Sequence, residues 1–289
     1  MSNFAHIFKD QNFTGDEKYK KIYQCLKPLI VSKIHQHLAS RGLRHTGRPI
    51  TTDFNIIVDA LYFITESGSQ IKYVKDMFGL SPSTFKHYRQ IIADNQILER
   101  VYQEAIHNYT LPDLLIADSF TVKSMRGSEG LGRNPTDRGR KGFKISIVCD
   151  AKRITHSVQV RPANRHDSKI LEDNLDQITR PKILTRCLCD SGYVGKQLRD
   201  QCLKKNFRLI VKPRRTNKKG KKTHVLLKTD REVLSKNRNQ IELLNGHIRR
   251  YRGLMIKWTK NLSAYKCMLY VALLCITCYQ LYIKGKFNG

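Results

Sequence analysis

Two short apolar runs in the middle of this chain each end on an aspartate, and this pattern constrains the fold more than any other. Leu114-Leu115-Ile116-Ala117 leads into Asp118, and the run from Ile183 to Cys189 leads into Asp190. Apolar runs of this length read as buried strands. A carboxylate at the end of a buried strand is costly unless a cation or a set of donors meets it. A third acid, Glu242, falls in the helical stretch Arg238-Asn239-Gln240-Ile241-Glu242. Two carboxylates at strand ends and one on a helix can converge on a pair of divalent cations. Such a pair clamps the attacking and leaving oxygens in phosphodiester chemistry.

The surrounding pattern supports that reading. From residue 111 the apolar spacing changes from helical to extended. Leu114–Phe120, Lys144–Asp150 and Ile154–Pro162 read as three strands, followed by a helix over Ser168–Ile178. Strand Ile183–Cys189, helix Gly195–Asn206 and strand Phe207–Val211 come next. Three strands and then strand–helix alternation is an α/β order, and it is the order of an RNase H-like core. A long helix over Arg231–Tyr251 carries Arg238, Glu242, Asn245 and Arg249 at spacings that share one face. Glu232 and Glu242 both lie on this helix, too far around the axis from each other to serve one site, and Glu242 is the expected third ligand.

Charge narrows the partner. The 53 Lys and Arg against 24 Asp and Glu leave a net charge of +29. A compact chain with this excess attracts a polyanion, and nucleic acid is the expected one. A ribosome-associated protein or a binder of acidic membranes is the alternative on charge alone. The Gly- and Arg-rich segment 126–142, with Arg138, Arg140 and Lys141, reads as a basic loop that either tracks a phosphate backbone or is simply solvated. The segment 212–222, with Arg214 and Arg215, is the densest basic run and fits DNA binding, a nuclear import signal or a solvated loop.

The first part of the chain reads as helical. Thr52-Asp53 caps a helix over Phe54–Thr65. Residues 71–78, Gly79-Leu80 and a helix opening at Ser81-Pro82 form a helix-turn-helix pattern over about 71–93. In that arrangement Thr84, Lys86, His87 and Arg89 would face a major groove; an ordinary helical hairpin has the same spacing. Eight cysteines lie partly inside apolar runs and read as small buried hydrophobes rather than a zinc site, Cys275 and Cys278 included. Tyr265–Ile283 has the length of a membrane span, but its Lys266, Thr277, Gln280 and many Tyr and Cys favour a buried helix and no membrane.

These blocks together resemble the insertion-sequence transposases with a DDE triad, in the IS-five-like branch of the RNase H-like superfamily. Ile116-Ala117-Asp118-Ser119 with Thr121-Val122-Lys123 resembles the family's first motif. Gly142-Phe143-Lys144-Ile145, leading to Asp150 and Arg165-His166-Asp167-Ser168, resembles the second. Asp190-Ser191-Gly192-Tyr193 is similar to the third, Pro213 to Lys218 to a basic loop, and Arg238-x3-Glu242-x6-Arg249 to the last. The chain departs from the pattern at Ser235, Arg249, Val194 and Glu242-Leu243-Leu244-Asn245, where the family has Tyr, Lys, Asp and an "ER.F" block.

The resemblance implies a helical DNA-binding domain over 1–110 and a catalytic domain over 111–289, with a mixed five-stranded sheet flanked by helices. It implies Asp118, Asp190 and Glu242 as catalytic ligands of two Mg²⁺ or Mn²⁺ ions. The enzyme would bind the terminal inverted repeats of an element, cleave DNA strands and join the 3′-OH to target DNA, as a homodimer or larger synaptic complex. Arg238 and Arg249 are further expected DNA contacts. Its compartment would be the cytoplasm or nucleoid of a bacterium, or the nucleus in a eukaryotic or viral host. A transposase-derived DNA-binding protein without catalysis, a non-transposing RNase H-like nuclease and a basic RNA-binding protein are the rival readings.

Overall fold

The apolar spacing changes near residue 111, where the strands of the second unit begin. In the computed structural model, residues 4–8, 13, 15, 17–40, 52–125, 129–135, 137–213, 226–257 and 259–283 are described. They divide into two compact units, one of residues 1–109, 125–129 and 247–289, the other of 110–124 and 130–246. Residues 247–289, expected with the strands, belong instead to the helical unit.

The reason lies in the C-terminal helix. In the helical unit α1 (Lys18–Ser40), α2 (Phe54–Ser67), α3 (Val74–Phe78), α4 (Pro82–Asp94) and α5 (Ile97–Ile106) accompany the terminal helix, Leu262–Cys278. From Ala264 to Cys278 every residue of that helix except Lys266 is buried. A helix that is apolar all round needs neighbours all round, and α1, α2, α4 and α5 pack against it. Leu262–Ile283 is long and apolar enough to cross a membrane, yet 78% of its most apolar window is buried within the protein. Its polar groups find partners there. Tyr102 Oη lies 3.1 Å from Thr277 Oγ1, Tyr265 donates to Leu254 O and Tyr282 to Ala105 O. All eight cysteines are free thiols, Cys275 and Cys278 fully buried.

The hairpin of helices has the capping its sequence announces. Gly79 ends α3 with φ of +64°, a left-handed conformation that glycine adopts without strain. Ser81 then accepts from the Thr84 N–H, with Pro82 in the first turn of α4. Helix α5 has apolar residues at 97, 98, 101, 102 and 105, a helical stripe legible in the spacing.

Close packing around Gly253 yields a test of this unit. A Cβ there would lie 2.5 Å from Ile64 O and 2.8 Å from Thr65 O, backbone atoms that cannot step aside. Gly253→Ala is expected to lower stability by about 1–3 kcal/mol, read as a lower denaturant midpoint with an unchanged slope. An unchanged midpoint would mean that α2 is not pinned here.

In the second unit β1 (Leu114–Ser124) pairs antiparallel with β3 (Lys141–Asp150) and parallel with β5 (Thr185–Cys189). β4 (Thr155–Pro162) continues from β3, and β6 (Phe207–Val211) lies parallel beside β5. β2 (Gly132–Arg133) pairs with the start of β3. The main order is therefore β4-β3-β1-β5-β6, three antiparallel strands and then parallel ones, as the alternation in the sequence predicts. Helices α6 (Asp167–Asp176) and α7 (Lys196–Lys204) cover one face, where Leu115, Ala117, Cys187 and Cys189 join Leu171, Leu175, Leu198 and Cys202 in one core. Helix α8 (Lys228–Arg249) follows, and the terminal helix described above is α9.

Segment 126–142, read from the sequence as a basic loop, is described only in part. Its described part is a β2–β3 hairpin closed around buried Asn134, whose carbonyl accepts from the Asp137 and Gly139 N–H groups. Asp150 serves the turn that leaves β3, accepting from the Lys152 and Ile154 N–H groups and lying 3.3 Å from His156 Nε2.

Candidate active site

The register of two parallel strands makes the site. Ala117 stands opposite Cys189, so Asp118 and Asp190 are the next residues on neighbouring chains. Adjacent strands lie about 4.8 Å apart. Side chains alternate between faces, and since Leu115 and Ala117 point to α6 and α7, Ile116 and Asp118 point the other way. There α8 supplies Leu234, Arg238, Ile241 and Glu242 to a pocket that also holds Ile116, Asp118, Leu188, Asp190 and Lys212. The three sequence-predicted acids thus line one pocket. The rotation of α8 has an anchor at its start, where buried Asp230 pairs with Arg208 of β6 at 2.5 Å.

The acids differ in surroundings. Asp118 is mostly buried, whereas Asp190 and Glu242 are exposed. Desolvation raises the Asp118 carboxyl from 3.8 to about 6; a hydrogen bond from the Ser119 backbone opposes this, and the charges of Asp190, Asp167 and Glu242 add to it. Asn245 Nδ2 donates to Asp118 Oδ2 at 3.1 Å. Arg238 lies between the other two, Nη2 3.6 Å from Asp190 Oδ1 and Nε 3.6 Å from Glu242 Oε1. These are ion-pair distances and too long for hydrogen bonds. With Arg238 between them, no three His, Cys, Asp or Glu groups among the described residues converge closely enough to hold one ion.

The donor set still suits a divalent cation. It is all oxygen and carries excess negative charge at its buried member, and hard cations of the Mg²⁺ type take such ligands. Around it, Ser119 Oγ and Lys144 Nζ both donate to Asp167 Oδ1, at 2.7 and 3.0 Å, tying β1 and β3 to the start of α6. Ser119, Lys144 and Asp167 stand in the motifs of the resemblance, and their hydrogen bonds give them a structural role there.

The expected DNA contacts separate into groups. Lys86 and His87 are exposed on α4 and Thr84 is half-buried. Arg89 is not available to a groove. It is only 6% exposed, on the stripe Phe85, Arg89, Ile92 and Ala93, and its guanidinium lies over the Phe85 ring. Its place four residues after Phe85 and three before Ile92 puts it on the buried face of α4, a signal present in the spacing. Burial lowers its pKa, and its Nε and Nη1 have no partner among the described residues. Arg138, Arg140 and Lys141 are exposed in the β2–β3 hairpin, with Arg140 4.0 Å from Asp137. Arg238 lines the acidic pocket, and Arg249 is exposed at the end of α8, in the helical unit. Arg214 and Arg215 lie outside the described residues.

A mixed sheet of this order, with Asp118 inside β1, Asp190 just past the parallel β5 and a helix laid over them, has the RNase H-like fold. The family model for the transposase DDE domain matches residues 109–278, more than half of the chain. The chain therefore belongs to the DDE transposases, enzymes that cleave and transfer DNA strands with divalent metal ions. No curated protein matches it. Among solved structures it is similar to the piggyBac transposase synaptic complex with hairpin DNA, at 12% identity over 97% of this chain and 68% of that one, with a TM-score of 0.50. It also aligns with the Mos1 mariner paired-end complex with Mn, at 11% identity over 67% and 77% of the two chains, with a TM-score of 0.24. At these identities the piggyBac likeness speaks for the fold, and the Mos1 alignment carries no argument.

Proposed function

We propose that this transposase binds the terminal inverted repeats of its element through the helical unit and performs two-metal chemistry at Asp118, Asp190 and Glu242. The observation that carries this reading is the β1–β5 register, which sets Asp118 beside Asp190 in one pocket with Glu242. Two ions, Mg²⁺ or Mn²⁺, would supply an activated water and a polarised phosphate. The residues do the rest. Asp118 on β1 and Asp190 just past β5 hold their carboxylates at neighbouring points, and Glu242 closes the site from α8. Arg238 relieves the acids of part of their mutual repulsion until cations take over that role. Lys212 and the exposed hairpin cations Arg138, Arg140 and Lys141 offset the charge of the approaching backbone.

Cleavage then releases a 3′-OH that attacks target DNA, and joining two ends calls for a homodimer or larger synaptic complex. Work on DNA places the protein in the cytoplasm or nucleoid of a bacterium, or in a nucleus. The full chain, given labelled duplexes carrying the element's ends, is expected to cut and join them with Mg²⁺ or Mn²⁺ and to do neither in chelator. Metal-dependent cutting without any joined product would favour a nuclease instead, and binding without cutting a DNA-binding derivative.

The α4 residues give a paired test of end binding. Lys86→Ala is expected to weaken DNA binding across sequences and to reduce the salt slope by about 1. Arg89→Met is expected to leave end specificity intact and to raise stability by roughly 1 kcal/mol, because it replaces a buried cation with unpaired N–H groups by an apolar chain of similar length. Relaxed specificity in Arg89→Met would return Arg89 to the groove.

A further inference from the structure

Asn245 is a buried polar side chain with half of its amide unused. It is 6% exposed, on the face of α8 that also carries Arg238 and Glu242. Its Nδ2 donates to Asp118 Oδ2 at 3.1 Å, and its Oδ1 is buried with no partner among the described residues. A lone acceptor next to a cluster of carboxylates adds negative potential where there is already too much. Buried acceptors of this kind are rare in folded proteins, and where they occur an ordered water or an ion commonly completes them.

We infer that Asn245 is a positioning residue for the metal site, holding the Asp118 carboxylate in place through its Nδ2–H. This rests on the proposed metal ligation by Asp118. An apolar residue at 245 would remove the donor to Asp118 Oδ2 and leave that carboxylate free to turn within its strand. Partners of this kind orient ligands, and their loss commonly costs 10–100-fold in metal affinity.

The test uses the full chain and Mn²⁺ alone, titrated by calorimetry and by the resonance spectrum of the bound ion. Asn245→Leu keeps the branching at Cγ and removes both donor and acceptor. Asn245→Ser keeps a hydroxyl that is too short to reach Asp118, and it serves if the leucine variant fails to fold as judged by its thermal transition. Both are expected to bind Mn²⁺ about 10–100-fold more weakly and with an altered spectrum. Parent affinity and spectrum in either folded variant would overturn the inference. Asp118→Asn, run beside them, separates the two levels. If it loses Mn²⁺ while the Asn245 variants keep it, only the role of Asn245 fails. If it too binds as the parent does, the metal assignment itself fails.

Discussion

Asp118→Asn is expected to abolish strand cleavage, by more than about a thousandfold, and to make the metal-free protein more stable. The two effects have one cause. Asp118 sits mostly buried beside Asp190, Asp167 and Glu242, and burial first, then these charges, lift its carboxyl from 3.8 to about 6. Each pKa unit corresponds to about 1.4 kcal/mol between protonation states, so holding the charge at neutral pH costs about 3 kcal/mol. The sign follows from linkage. A raised carboxyl pKa means that the folded state takes up its proton more readily than the unfolded one. Below about pH 4 Asp118 is protonated in both states and the site costs nothing. The cost grows as pH rises to about 6 and is complete above that.

Asparagine carries no charge and can still accept from Asn245, so the variant should gain about 1–3 kcal/mol over the parent near neutral pH and little near pH 4. Denaturant midpoints in chelator at both pH values measure this. Added Mn²⁺ should reverse the order, because ligand binding stabilises only the protein that binds it. A variant less stable than the parent at neutral pH in chelator, or one that still cleaves at the parent rate, would show that the site is not a charge cluster held for cations.

Glu242→Gln is expected to eliminate metal-dependent cleavage, and Glu232→Gln to leave it within about twofold of the parent. Both acids lie on α8, ten residues apart, which is roughly 80° around the helix. Only one of them can meet the pocket. Glu242 lines it and lies 3.6 Å from Arg238. Glu232 is exposed, two residues past the Asp230–Arg208 pair that sets the rotation of the helix. A solvated acid near a basic segment contributes little. The glutamine at 242 removes one of the two partners of Arg238 and one candidate ligand, without altering the packing of Ile241 and Leu244, which are buried beside it. Cleavage rates of the two variants under matched Mn²⁺ decide the matter. Loss in Glu232→Gln with activity in Glu242→Gln would rotate α8 and displace the third ligand by almost three turns.

The sequence by itself determined the elements that local chemistry controls. Strand β6 occupies the residues its apolar run spans, and α4 begins at Pro82 after Ser81 because a side-chain oxygen and a missing N–H suit those two positions. The placement of Asp118 and Asp190 was legible because each acid interrupts an apolar run, although β1 continues past Asp118 to Ser124 with Phe120 and Val122 buried. Tertiary structure alone decided which runs became neighbours. Nothing local says that Ala117 stands opposite Cys189, since register comes from how whole faces of the sheet pack on α6 and α7. Nothing local sends α9 to the helices of the first unit, because a segment apolar on every side has no face to read, and only the set of partners able to surround it chooses its place. Arg89 lies between these cases. Its charge favoured a groove and its spacing favoured the core, and the packing of α4 against α9 settled it, since a helix buries every residue of a stripe that contacts its neighbour.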